Sequence, residues 1–297
     1  MRIFLLFESN IKDNMSKIRL AFLLGAGASV DSGLPTYRGV GGMYSQRPDI
    51  ADTNNEECLQ PEEILTLPSF QKDPKKVWDF LLPLYSKYRG AKSGPTYSRL
   101  NRFVIGYPDS FILTQNVDGF VRELSCSYVE LHGNMHTARC LKCGEKSPVK
   151  EKIPECDRCK VIMRPEIVFF SENLGNEDIK KAWTLIHNKP THFVIIGTGL
   201  HFAYLQNMVD KAKKNGAKIV HINPDPKYKP NIGRNEIWIQ ENSVEGLKKL
   251  EEILIKEEKS QEKTLEALEE RVVFLEKFVN KLLLHPDEVN HLLDKIH

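Results

Sequence analysis

No stretch of this sequence approaches the roughly 18 consecutive apolar residues that cross a bilayer as a helix. A membrane-spanning helix is therefore excluded. Excess charge is also missing: 42 Lys and Arg stand against 40 Asp and Glu, a net +2. Nothing global demands a nucleic acid or an anionic membrane as partner. Cysteine is scarce, six in 297 residues, which argues against the disulfide framework of a small secreted domain. Four of the six fall in two close pairs, a pattern that points to an intracellular metal site. The opening "MRIFLLFESN" has an apolar patch of about five residues against the roughly 7–15 of a secretory signal, and no clear small-residue cleavage site. Met15 offers a second start, which makes residues 1–14 or 1–15 a loose extension. The expected compartment is the cytoplasm or the nucleus. No internal repeat or low-complexity tract is evident. With 41% hydrophobic and 28% charged residues, the chain has what an ordinary globular core needs.

Apolar runs of β type recur at 18–24 ("IRLAFLL"), 110–114 ("SFILT"), 128–131 ("YVEL"), 166–170 ("EIVFF"), 192–197 ("HFVIIG"), 217–223 ("AKIVHIN") and 236–240 ("EIWIQ"). Several are apolar nearly throughout, as strands buried on both sheet faces are. Helical patterns lie between them at 178–187, 202–215 and 243–257. The alternation predicts an α/β fold with an open, mostly parallel sheet. Two segments break the rhythm. Residues 45–95 are strand-poor, and "PEEILTL" and "PKKVWDFLLPLYSKY" within them read as short helices over the sheet. Residues 137–165 hold the paired cysteines and read as a small insertion. Beyond 255, Leu265, Leu268, Val272, Leu275, Val279 and Leu282 alternate at spacings of three and four. That is a short coiled-coil seam or one amphipathic face, ended by Pro286. Self-association through residues 262–284 and a helix folded on its own domain both fit.

The first apolar run leads into "LLGAGASVDSGLPTYRG", residues 23–39. Gly25 and Gly27 suit a tight turn at a helix start, where backbone N–H groups favour anions. The third glycine of a dinucleotide fingerprint is missing, with Val30 in its place. The acid a dehydrogenase carries about 20 residues later is missing too. A nucleotide site using other turns and a simple packing turn both remain open. "IIGTGL", with Gly197, Thr198 and Gly199, and "HINPDP", with Asn223, follow strong strand runs and are candidates for such turns. "FILTQNVDGF" places Gln115, Asn116 and Asp118 just past one strand, and "VELHGNMH" places His132 past the next. An amide, a carboxylate and an imidazole at strand ends can orient a ribose and take a proton.

Cys140-x2-Cys143 and Cys156-x2-Cys159 are separated by 12 residues. Four thiolates so spaced suit one tetrahedral zinc ion, closed to water and hence structural. Arg139, Lys142 and Lys146 flank the pairs, but no aromatic stacking series accompanies them, so no specific nucleic-acid site is evident. Cys58 and Cys126 read as packed thiols.

Together these motifs resemble the sirtuins, NAD-dependent protein deacylases, over most of residues 16–255. "GAGASVDSGLPTYRG" is similar to the family's G-A-G-x-S-x-x-S-G-I-P-x-F-R-G, "TQNVDGF" to T-Q-N-[IV]-D-x-L, and "LHG" to its histidine motif. "RPEIVFFSENL" is similar to R-P-x-V-V-W-F-G-E-x-L, and "IIGTGL" to the G-T-S-L turn, all in the family's order. The resemblance implies a Rossmann-type part at about 16–44, 96–136 and 166–255. A helical module at about 45–95 and a zinc module at about 137–165 would form the smaller domain, and 256–297 the tail. NAD and an acyl-lysine protein or peptide would lie in the cleft between the domains.

On this resemblance Gly25, Ala26, Gly27 and Ser29 hold phosphates, and Tyr37 and Arg38 belong to a mobile cofactor loop. Gln115, Asn116 and Asp118 serve the nicotinamide ribose or the nicotinamide pocket, and His132 is the general base. Gly197, Thr198 and Asn223 hold the adenosine half, while Val168, Phe170, Ser171 and Glu172 line the peptide cleft. The implied reaction consumes NAD, releases nicotinamide and yields free lysine and O-acyl-ADP-ribose. An NAD glycohydrolase or ADP-ribosyltransferase on the same site, and a weakly active NAD-sensing interaction module, are the alternatives. Thr36-Tyr37 and "RGVGG" resemble the class III branch. The Tyr and Arg with which some of that branch read acidic acyl groups fall, ungapped, on Leu81 and Leu84. Tyr85 and Arg89 are the nearest such pair. Gly199 and Ser171 depart from the family's Ser and Gly, and "AYLQN" departs from its pattern after G-T-S-L.

Overall fold

In the computed structural model, residues 17–36, 61–228, 230 and 232–284 are described. Tyr37, Arg38, Cys58, Pro286 and the extension at 1–15 lie outside them, as does the side chain of Leu282. Two units divide the chain, Ile18–Lys248 and a second that takes in the chain from Lys249 onward.

The first unit is built on six parallel strands: β1 (Leu20–Leu24), β2 (Phe111–Thr114), β3 (Ser127–Glu130), β7 (His192–Ile196), β8 (Lys218–Ile222) and β9 (Glu236–Ile239). Their order is β3-β2-β1-β7-β8-β9. All five side chains of β1 are buried, which is why "LAFLL" carries no polar alternation: helices cover both faces of the sheet. Its Leu23 stands opposite Leu113 on one side and Ile195 on the other. The chain runs from β1 outward through β2 and β3, then returns to the other side of β1 as β7. The carboxyl ends of β1 and β7 therefore flank the crevice where open α/β sheets bind ligands.

A second sheet is antiparallel, with β4 (Gly133–Arg139) between β5 (Lys146–Pro148) and β6 (Arg164–Ile167). This corrects the expectation that "EIVFF" at 166–170 belongs to the main sheet. Pro165 lacks an N–H and cannot sit in a central strand, so the segment takes an edge position. It also ends at Ile167.

Helices α1 (Pro61–Ile64), α2 (Leu67–Lys72) and α3 (Pro74–Gly90) make the helical segment. Thr66 caps α2 by accepting from Ser69 N at 3.2 Å, and Asp73 caps α3 by accepting from Lys76 N at 3.0 Å. Each is followed by a proline in the first turn, where a missing N–H costs nothing. Helix α4 (Pro95–Gly106) follows; the sequence reading passed over it, although Gly94-Pro95 is a start signal. Helices α5 (Asn176–His187) and α6 (Ala203–Lys214) cover the sheet between β6 and β8.

Helix α7 runs from Ser243 to Leu284 without a break, 42 residues. The helical pattern at 243–257 and the apolar seam from 265 onward join in one helix, since 247–284 contains neither Gly nor Pro and is rich in Glu, Lys and Leu. Its first turn packs closely on the sheet: a Cβ at Gly246 would lie 2.2 Å from Ile222 Cγ2. In the second unit, Val272 is buried, whereas Leu268, Phe274, Leu275, Phe278 and Val279 are exposed. Among the described residues no helix is long and apolar enough to cross a membrane.

Candidate active site and metal centre

Four strand ends supply the site. Past β1, a 3-10 helix (Ala26–Ser32) replaces the regular helix of a dinucleotide fold. Gly25 N donates to Ile196 O at 2.9 Å, and Gly27 N to Gly197 O at 3.0 Å. A Cβ on Gly27 would lie 2.5 Å from Gly197 Cα, and Gly197 itself sits at φ +62°. The glycines of the two turns thus let β1 and β7 exit in backbone contact. Ser243 Oγ closes the corner by donating to Gly27 O at 2.9 Å.

Asn116 and Asp118 are buried under this turn. Asn116 Nδ2 donates to Gly25 O at 3.0 Å and to Ser29 Oγ at 3.1 Å. Ser29 Oγ donates to Asp118 Oδ2 at 2.6 Å, and Asp118 Oδ1 accepts from Phe120 N at 3.1 Å. Tyr97, from α4, places its hydroxyl 2.8 Å from Ser29 Oγ. Sequence reading missed Tyr97. Its signal is indirect: a fully buried tyrosine needs a partner for its hydroxyl. Burial pushes the Asp118 carboxyl above its usual range, against the bonds from Ser29 and Phe120 N that pull it down. Asn116 Oδ1 is buried without a partner. An orphaned acceptor of this kind suits a donor on a bound molecule.

Gln115 Nε2 donates to Thr198 Oγ1 at 3.0 Å and so ties the β2 end to the β7 end. Its carbonyl faces His132 Nδ1 at 2.9 Å. Because a carbonyl only accepts, Nδ1 carries the proton and the lone pair of the neutral ring lies on Nε2. Removal from water lowers the pKa of His132 below 6.5, partly offset by the Gln115 carbonyl. The structure therefore brings Ser29, Gln115, Asn116, Asp118, His132, Gly197 and Thr198 together. Asn223 lies farther along the sheet edge, after β8, where its carbonyl accepts from Trp238 Nε1 at 3.2 Å. Ala26 opens the 3-10 helix.

The segment after β6 runs beside His132, with Val168 N donating to His132 O at 3.0 Å. Phe170 is exposed, and its N–H meets Leu65 O at 2.9 Å. Ser171 Oγ accepts from Leu67 N at 3.2 Å. Glu172 is held by Arg164 at 2.6 Å and by Phe169 N at 3.0 Å. Burial would raise its pKa, but these partners together bring it below the usual value. In α3, Leu81 is buried. The Tyr85 hydroxyl donates to Val149 O, and Arg89 pairs with Glu151 at 3.1 Å.

The cysteine pairs form two matching knuckles. Each first cysteine carbonyl accepts from an N–H four residues on, Gly144 N at 2.9 Å and Lys160 N at 2.8 Å. Both of those residues have positive φ. The Sγ atoms of Cys140, Cys143, Cys156 and Cys159 lie within 4.8 Å of one another. A tetrahedral zinc with bonds of about 2.3 Å sets sulfurs about 3.8 Å apart, so the four thiols fit a structural zinc.

Known proteins share this chain's family and fold. Residues 25–203 match the family model described as "Sir2 family". The chain is 30% identical over 247 residues to an NAD-dependent protein deacylase of Aquifex aeolicus, covering 81% of this chain and 97% of that one. It is 32% identical over 216 residues to an NAD-dependent protein deacylase of Aeropyrum pernix, covering 71% of this chain and 82% of that one. A Sir2 homologue mutant in complex with ADP-ribose superposes with a TM-score of 0.67 at 25% identity, covering 82% of this chain and 94% of the other. A second Sir2 homologue mutant, in complex with 2'-O-acetyl ADP-ribose, superposes at 0.68 and 25% identity, covering 84% and 96%. With a family model matched over more than half of the chain and a relative 32% identical over 71% of it, this chain belongs to the Sir2 family.

Proposed function

We propose that this chain is an NAD-dependent protein-lysine deacylase that releases nicotinamide and O-acyl-ADP-ribose. The observation that carries the reading is His132, an imidazole with its Nε2 lone pair at the ligand crevice, beside the buried Ser29-Asn116-Asp118 network. NAD would supply an electrophilic ribose carbon and a neutral leaving group. The unpartnered Asn116 Oδ1 accepts a donor from the bound cofactor. Asp118, kept in place by Ser29 and Phe120 N, gives the network its negative end. His132 Nε2 takes the proton of a ribose hydroxyl, as a positioned neutral imidazole can. The exposed Phe170 and the backbone beside it receive the acyl-lysine segment. Gly25, Ala26, Gly27, Thr198 and Asn223, with Tyr37 and Arg38, remain the residues assigned to the rest of the cofactor.

Leu81 and Leu84, the positions that would read an acidic acyl group, offer no cation to it. Leu81 is apolar and buried, and Tyr85 and Arg89 are engaged by Val149 and Glu151. We therefore expect acetyl-lysine or fatty-acyl-lysine peptides to turn over faster than succinyl-lysine peptides. A panel of these peptides with NAD, read by mass spectrometry, checks both points. Faster succinyl turnover would remove the apolar lining from the proposal. NAD loss that needs no peptide would favour the glycohydrolase reading.

The exposed Leu268, Phe274, Leu275, Phe278 and Val279 favour self-association through 262–284. A mass by light scattering above that of one 34.1 kDa chain, lost in Phe274→Glu/Phe278→Glu, is the expected result.

A further inference from the structure

The turn after β7 leads into two aromatics, Phe202 and Tyr204, that the assignments above leave without a role. Their rings stack, with centroids 5.8 Å apart and 24° between planes. Both meet the His132 ring edge-on, at 5.9 Å and 6.2 Å. The Tyr204 hydroxyl lies 2.7 Å from His132 Nε2. Its direction follows from the other ring nitrogen. With Nδ1–H committed to the Gln115 carbonyl, Nε2 of the neutral ring has a lone pair and no hydrogen. Tyr204 must therefore be the donor. The one lone pair with which His132 would accept a proton is occupied in the free chain.

We propose that Tyr204 is a positioning residue for the His132 base, a phenolic latch that holds Nε2 as an acceptor until a substrate hydroxyl displaces it. The identity of that hydroxyl rests on the deacylase reading; the latch itself does not. Two consequences oppose each other. Tyr204 and Gln115 hold the imidazole from both nitrogens, which fixes its tautomer and its plane. The same bond must be given up when the ribose hydroxyl arrives, which weakens binding of the cofactor. No proton moves in the exchange: Tyr204 keeps its own, because burial holds the phenol above its ordinary value of 10, and Nε2 then takes the substrate's. Among the described residues, the groups that face His132 are the Gln115 carbonyl from the loop after β2, and Phe202 and Tyr204 from the entry to α6. The backbone of Val168 reaches its carbonyl from the segment after β6. None of these is charged, so a change at Tyr204 reads out at His132 without competing ionisations beside it.

Tyr204→Phe tests this, because it keeps the ring and its packing and removes only the hydroxyl. A donor to Nε2 stabilises the neutral ring alone. Its loss should raise the His132 midpoint, followed by NMR with 15N-labelled histidine, by about 0.5–1 pH unit, the size of one ordinary hydrogen bond. ADP-ribose should bind the variant about 3–10-fold more tightly by calorimetry, as the competitor for Nε2 is gone. In turnover, KM for NAD should fall while kcat also falls, since the ring is held from one side only. An unchanged midpoint overturns the latch, and so does an equal loss of kcat and kcat/KM with unchanged ADP-ribose affinity. If the variant does not fold, the wild-type spectrum decides: an Nε2–H tautomer of His132 in the free chain overturns the proposal. If wild-type chain turns over no acyl-lysine peptide, the deacylase reading fails while the titration still judges the latch.

Discussion

Replacing His132 by alanine is expected to cut kcat for deacylation by about 10²–10⁴-fold, the usual worth of a positioned general base. The fold should survive. His132 is half-buried, and its side chain makes two hydrogen bonds, to Gln115 O and to Tyr204, each worth about 1 kcal/mol net. The loss should therefore fall on chemistry rather than on stability. In the proposed sequence the imidazole acts after the nicotinamide bond has opened. Nicotinamide release in the presence of acyl-peptide should consequently outlast product formation in the variant, and mass spectrometry of both products separates the two. The pH dependence follows from the same residue. The base works as neutral imidazole, which exists above its pKa, and that pKa is depressed by removal from water. The wild-type rate should stay level down to about 6.5 and fall only as pH drops through the lowered value. The same ring contributes stability that is present above 6.5 and is lost as pH falls further, because the unfolded chain then binds the proton more readily. Unchanged turnover in His132→Ala would remove the histidine from the chemistry.

The chain's own letters disclosed the main sheet because its strands are buried on both faces. "LAFLL" and "HFVII" have no polar alternation to blur, and both occupy the centre of the sheet. Local signals did less well where neighbours decide. Pro165 was the one residue able to show that "RPEI" is an edge strand, and the apolar letters after it outweighed it. Helix α4 carries a start signal at Gly94-Pro95 and an apolar stripe of Tyr97, Leu100, Phe103 and Val104, but it is short and follows directly on the helical segment. In the site, the residues on strand ends were legible because turn chemistry concentrates there: Asn116, Asp118 and His132 follow apolar runs directly. The two tyrosines were not. Tyr97 reaches Ser29 from a helix 68 residues away in sequence, and Tyr204 reaches His132 across 72. A tyrosine on an amphipathic helix reads as packing, and only the fold shows where its hydroxyl ends. The glycines teach a related lesson. Gly25 and Gly27 suggest a phosphate loop by letter, yet their N–H groups meet the β7 exit, so the first demand on them is the contact between two turns.

Stripping the metal from the four cysteines should have the second large effect, and it should be local before it is global. The three strands beside the knuckles are short, at seven, three and four residues. A sheet of that size with few large apolar side chains does not stand alone. Structural zinc in small modules contributes on the order of 10–16 kcal/mol of apparent binding energy, which is folding energy for the segment that holds it. A strong chelator, or Cys156→Ser, should therefore melt β4, β5 and β6 while β1, β7 and β8 stay protected. Hydrogen exchange read by mass spectrometry distinguishes the two regions. The damage should travel along two routes. Trp78 Nε1 donates to Met163 O at 2.7 Å and the Tyr85 hydroxyl to Val149 O, so α3 loses both buried anchors. Trp78 is almost fully buried, and its fluorescence should shift to the red. The other route reaches the active site itself. Gly133, which opens β4, follows His132 directly, and Val168, just past β6, donates to the His132 carbonyl. Melting the small sheet frees the base from both sides, and a displacement of about 1 Å at a reacting group costs about 10²-fold in rate. Deacylation should thus fall by at least about that factor although the four thiols are not among the residues assigned to substrate or cofactor. Elemental analysis of the purified chain should give one zinc per chain. Absence of metal, or protection of residues 133–167 that chelation leaves unchanged, would show that the small sheet stands without the cysteine site.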